Sequence, residues 1–138
     1  MEDQQQMMQK YQQIQQQMEE VQEYLEEVQE EIEEMDETIQ AVGELETAEE
    51  GSEILAQIGN GAYVKAEIKE TNRVITNIGG ETYQSKEIED AVESLESERS
   101  EAEDTREELE NTLEDLQQEF QQLQRQIQEM QQQQQQQE

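Results

Sequence analysis

From Met7 to Val42 an apolar residue recurs at positions 7, 11, 14, 18, 21, 25, 28, 32, 35, 39 and 42, alternating steps of four and three without a slip. This is a heptad seam over five repeats, with Tyr11, Met18, Leu25, Ile32 and Ile39 at a and Ile14, Val21, Val28, Met35 and Val42 at d. A stripe that narrow buries nothing on an isolated helix, so the pattern demands a partner helix. A second seam answers it. Ile88, Leu95, Ala102, Leu109, Leu116, Leu123 and Met130 occupy d, and Val92, Arg99, Arg106, Leu113, Phe120 and Ile127 occupy a. Each helix predicted in this way runs to about 40 residues, on the order of 60 Å at 1.5 Å per residue.

Between the seams the period shortens towards two. In EILAQIGNGAYVKAEIKETNRVITNIGGETY (53–83), Ile54, Ala56 and Ile58 alternate up to the turn Gly59-Asn60-Gly61. Val64, Ala66 and Ile68 alternate up to Glu70-Thr71-Asn72, and Val74, Thr76 and Ile78 up to Gly79-Gly80. Three turns separating four short runs predict two consecutive β-hairpins. Ser85 is the expected N-cap of the second helix. The fold class expected is mainly α: a long antiparallel two-helix coiled coil joined by two short β-hairpins. Its parts are an N-terminal helix over 1–48, hairpins over 49–85, a C-terminal helix over 86–130 and a disordered Gln-rich tail over 131–138. Facing residue numbers then sum to a constant, 134 or, one heptad away, 127. The 134 register faces Val42 with Val92, Leu25 with Leu109, Ile14 with Phe120 and Met7 with Ile127, and leaves fewer apolar residues unmatched.

Composition closes several functional classes. The 138 residues hold 38 Asp or Glu against 8 Lys or Arg, a formal net charge of −30, and no His, Cys, Pro or Trp. Low hydrophobicity with such charge is the signature of disorder, which the unbroken seams overrule. A zinc finger, a Cys or His nucleophile and a disulfide framework are excluded. Phosphate binding depends on clustered bases, so nucleic acid is not an expected partner. Nor is a membrane: no stretch approaches the ~20 apolar residues of a span. The start MEDQQQMMQK has neither a basic nor an apolar leader region, so a cytoplasmic location is expected. The acidic runs lack the spacing of a calcium loop, and Gly59-Asn60-Gly61 lacks the Lys-Ser/Thr of a phosphate loop, so no metal, cofactor or enzymatic activity is expected.

The organisation resembles the prefoldin family, in particular its archaeal alpha class. The resemblance is carried by LAQIGNGAYVKAEI (55–68), NRVITNIGG (72–80) and KEIEDAVESL (86–95). It departs where the family usually has Pro before the apolar-Gly pair and this chain has Gln57. What it implies is an ATP-independent holdase within a hexamer of two alpha-type and four beta-type subunits. The hairpins of that assembly form a β-barrel platform. Coiled-coil tips hold non-native polypeptides and pass them to a group II chaperonin. On that basis Ile54, Ile58, Tyr63, Val64, Ile68, Val74, Ile75 and Ile78 are candidates for oligomerisation. Met7, Met8, Tyr11, Leu123, Ile127 and Met130 are candidate client contacts in the Gln-rich helix ends. Ile14 and Phe120 are expected to be ordinary packing residues. Arg99 and Arg106, charged at a positions, are candidates for fixing register against the acidic partner helix. A tethering coiled coil without clients is the alternative. Few Lys and many Glu on the solvent face point to a halophilic, salt-rich cytoplasm, where charge repulsion is screened.

Overall fold

A computed structural model describes residues 2–136. The order of elements is α1 (Glu2–Thr47), β1 (Glu53–Gly59), β2 (Ala62–Glu67), β3 (Arg73–Gly79), β4 (Thr82–Glu87) and α2 (Ile88–Gln136). Two long helices thus flank two antiparallel strand pairs, β1 with β2 and β3 with β4. The chain divides into two compact units, Met1–Glu31 with Ala102–Glu138, and Ile32–Glu101.

In the first unit the early turns of α1 lie against the late turns of α2. Ile14, Ala102 and Leu123 are buried, and every other seam residue there is at least half-buried. Tyr11 stacks on Phe120 with ring centroids 4.7 Å apart. Arg106 Nη1 donates to Gln29 Oε1 at 3.0 Å. In the second unit Ile32, Ile88 and Ala91 are buried. There Arg99 meets Asp36 through two contacts, Nη2 to Oδ2 at 3.3 Å and Nε to Oδ1. The pairs 29/106 and 36/99 each lie one residue from the register that faces Val42 with Val92, and eight from its rival.

The hairpins repeat each other at an interval of 20 residues. Leu55 pairs with Lys65 as Ile75 pairs with Ser85, and Gln57 with Tyr63 as Asn77 with Tyr83. Each ladder shifts register at the same place, between Gln57 and Gly59 and between Asn77 and Gly79. The repeat reaches the flanks as well. Ile68 N–H donates to the Ser52 carbonyl at 2.9 Å, and Ile88 N–H to the Asn72 carbonyl at 3.1 Å. It breaks at the tight turns. The first needs left-handed backbone at its second residue, Gly61 (φ 80°), and the second at its first, Gly80 (φ 59°). Glycine adopts that conformation without a Cβ penalty, so it moves with the requirement.

Three expectations are corrected. Ser85 is not an N-cap, because the ladder of the second hairpin extends to Glu87. Its hydroxyl accepts from Arg73 Nε at 3.0 Å instead. The helix that follows has its first N–H bonded to Asn72 and carries Glu89 and Asp90 in its first turn, where acids suit the positive end of the helix dipole. The hairpin segment therefore ends at 87 rather than 85. The tail is helical as far as Gln136, since glutamine is a good helix former and no Gly or Pro intervenes. Gln137 and Glu138 lie outside the described residues.

Gly43 sits within α1, exposed, with open space where a Cβ would project. Gly43→Ala should raise stability by roughly 1 kcal/mol through helix propensity alone, read as a higher midpoint in thermal or urea unfolding. An unchanged or lower midpoint would show that this glycine serves a backbone requirement other than helix.

Candidate functional site

Charge is zoned along the sequence. Residues 19–50 carry fifteen acids and no base, and residues 88–115 thirteen acids and two bases. Residues 51–87 carry five acids and four bases, and within 4–17 the single charge is Lys10. The apolar side chains exposed to solvent gather in the zones of low charge, with Tyr24 the exception.

The first such zone is the pair of hairpins. Directly opposed residues in an antiparallel pair share a face. One face of the first hairpin therefore presents Ile54, Ala56, Val64 and Ala66, and the other Leu55, Gln57, Tyr63 and Lys65. In the second hairpin Val74, Thr76, Gln84 and Lys86 share one face, and Ile75, Asn77, Tyr83 and Ser85 the other. Ile54, Ile58, Tyr63, Val64, Ile75 and Ile78 are all exposed, whereas Ile68 and Val74 are half-buried. Two exposed residues escaped the sequence reading, Leu55 (67%) and Tyr83 (64%). The 20-residue repeat was the signal for both, since it equates Leu55 with Ile75 and Tyr83 with Tyr63. Each strand bonds to one neighbour, so four strand edges carry free backbone groups.

The second zone lies where the N-terminal turns of α1 meet the C-terminal turns of α2. An open groove of about 670 Å³ is lined by Gln4, Gln5, Met8, Gln9, Ile127, Met130 and Gln131. A neighbouring hollow is lined by Met8, Tyr11, Gln124, Ile127, Gln128 and Gln131. Met8, off the seam, is 49% exposed. Met7, Ile127 and Met130 are half-buried, and Tyr11 is half-buried against Phe120. Leu123 is placed differently from the other candidates: it is buried (7% exposed) and serves packing, as Ile14 does. Of the six side chains singled out in sequence, the structure gathers Met8, Tyr11, Ile127 and Met130 along these two hollows.

Across the two helices Arg99 contacts Asp36, and Arg106 donates to Gln29. Arg106 Nε also lies 3.9 Å from Glu110 on its own helix. The aspartate side chain is 51% exposed, so solvent screens the pair. A double-mutant cycle on Asp36→Ala and Arg99→Ala should give a coupling of about 0.2–1 kcal/mol in dilute buffer that shrinks in molar KCl. No coupling at low salt would remove the pair from any part in setting register.

The family profile described as Prefoldin, prefoldin subunit, matches residues 3–133. Curated proteins named prefoldin subunit alpha are similar to this chain: 40% identical over 60 residues in Methanothrix thermoacetophila, 35% over 59 in Halorubrum lacusprofundi and 40% over 63 in Methanoregula boonei. These segments cover 43–46% of this chain, which spans only 39–40% of the length of those relatives. The fold is similar to a chain in the cryo-EM structure of filamentous PFD from Methanocaldococcus jannaschii, with TM-score 0.72 and 21% identity over 80% of this chain and 91% of that one.

Proposed function

The chain belongs to the prefoldin family, and from that premise we propose that it is an alpha-type subunit of an ATP-independent chaperone that holds non-native polypeptides and delivers them to a group II chaperonin. The observation that carries this reading is the open, apolar-floored groove at the helix ends, with Met8, Ile127 and Met130 accessible in a stretch of chain almost free of charge. Methionine suits capture of varied sequences, because its flexible, polarizable side chain adapts to many apolar surfaces.

The hairpins support assembly. Two-stranded hairpins are marginal alone, and these carry exposed Ile54, Leu55, Ile58, Tyr63, Val64, Ile75, Ile78 and Tyr83 together with free edges. In the proposed assembly they pair with beta-type subunits in a hexamer of two alpha and four beta chains. Several weak tips on one platform then act together on one client, which raises avidity without any single strong contact. The expected setting is a salt-rich cytoplasm, where the acidic helices are screened. Among the described residues no helix is long and apolar enough to cross a membrane.

The test is suppression of aggregation of an unfolded client by the chain mixed with a beta-type subunit. Full-length protein should slow aggregation, and a version lacking residues 1–14 and 117–138 should lose most of that activity while still assembling. Undiminished activity after truncation would move client capture away from the helix ends. A chain that forms only homodimers and slows no aggregation would favour a tethering coiled coil. Leu55→Ser with Ile75→Ser should lower the mass of the assembly seen by sedimentation without altering helicity. An unchanged mass would exclude that face of the hairpins from the interface.

A further inference from the structure

The proposal that the helix ends capture clients leaves open what part of a client they recognise, and the following rests on that reading. The groove contains four glutamines, Gln4, Gln5, Gln9 and Gln131, around Met8, Ile127 and Met130, and no charged side chain. A carboxamide carries two N–H donors and a carbonyl acceptor, so one glutamine can pair with both the C=O and the N–H of a peptide unit. Apolar side chains alone cannot do this, and Lys or Glu offers only one half of it. One such carboxamide already bonds to another here: Gln4 Nε2 donates to Gln134 Oε1 across the two helices at 3.5 Å. That bond is long and solvent-exposed, so a bound backbone can replace it at little cost.

We infer that the Gln-rimmed groove of Gln5, Met8, Gln9, Ile127, Met130 and Gln131 recognises an extended, unpaired polypeptide backbone by amide hydrogen bonds, with Met8 and Met130 receiving its apolar side chains. An unfolded chain differs from a folded one in having backbone N–H and C=O groups without partners. A groove built this way selects non-native chains by that property as well as by exposed apolar surface. Neither rim nor floor carries a charge. The groove volume lies within the 300–1,000 Å³ of pockets that enclose small ligands, enough for a short stretch of extended chain. Binding of this kind does not weaken with salt, since no ion pair is screened and apolar burial is, if anything, strengthened.

The test uses full-length protein and a fluorescein-labelled uncharged peptide of alternating Leu and Ser, alongside the same peptide N-methylated at every second residue. Fluorescence anisotropy measures both from dilute to molar KCl. The parent peptide should bind with undiminished affinity in KCl, and the methylated one more weakly by about five-fold for each hydrogen bond lost. A Gln5→Leu, Gln9→Leu, Gln131→Leu variant should bind both peptides alike. Equal binding of the two peptides to the unmodified protein would overturn backbone recognition while leaving tip capture standing, as would a tenfold weakening in KCl. Retained discrimination in the triple variant would place backbone recognition elsewhere. Failure of either peptide to bind, when aggregation is suppressed with or without the helix ends, would overturn the capture reading as well.

Discussion

Everything in this chain depends on one seam holding two acidic helices together. Residues 19–50 bring fifteen acids and no base, and residues 88–115 a further thirteen acids. Like charges on neighbouring helices repel, and little Glu–Lys pairing along either helix offsets it. What opposes the repulsion is a narrow line of apolar residues. Six of the side chains are buried in the whole described chain, among them Ile14, Ile32, Ile88 and Leu123, each worth roughly 1.5–3 kcal/mol for large aliphatics. The Arg99–Asp36 contact and the Arg106–Gln29 hydrogen bond join the two helices but, being solvent-exposed, add little energy. Stability comes from the seam.

The zoning of charge gives the exposed apolar groups their meaning. Where the helices are most acidic, apolar side chains are spent on the seam. Where the acids thin out, at the hairpins and at the Gln-rich helix ends, apolar side chains reach solvent. An interface between subunits and a surface for clients both require desolvation, which a dense acidic field opposes. The two zones differ in kind. The hairpins offer strand edges and β-branched and aromatic side chains, suited to a fixed partner, while the helix ends offer methionine and glutamine, suited to a variable one.

Most of this fold was legible in the sequence because heptad spacing and glycine-marked turns act locally. Both helices and all four strands follow from them. What escaped depended on pairing. Ser85 has the chemistry of a cap, but its pairing with Ile75 holds it in a strand. The glutamine tract has the composition of a disordered tail, yet nothing in it terminates a helix that is already formed. The exposure of Leu55 and Tyr83 is not legible in this way, because strand alternation marks a face and does not say which faces remain uncovered. Leu123 illustrates the converse limit: its place near a helix end suggested access, but the seam buries it.

The balance between apolar seam and acidic surface is tested most directly by far-ultraviolet circular dichroism of the full-length protein titrated with KCl. At molar salt the Debye length falls to about 3 Å and the repulsion between helices is screened, whereas the seam is untouched or strengthened. Helical signal and thermal midpoint should therefore both rise with KCl and level off near molar concentration. A signal and midpoint that stay flat from dilute to molar salt would contradict the account, because the acids would then not be opposing the seam at all.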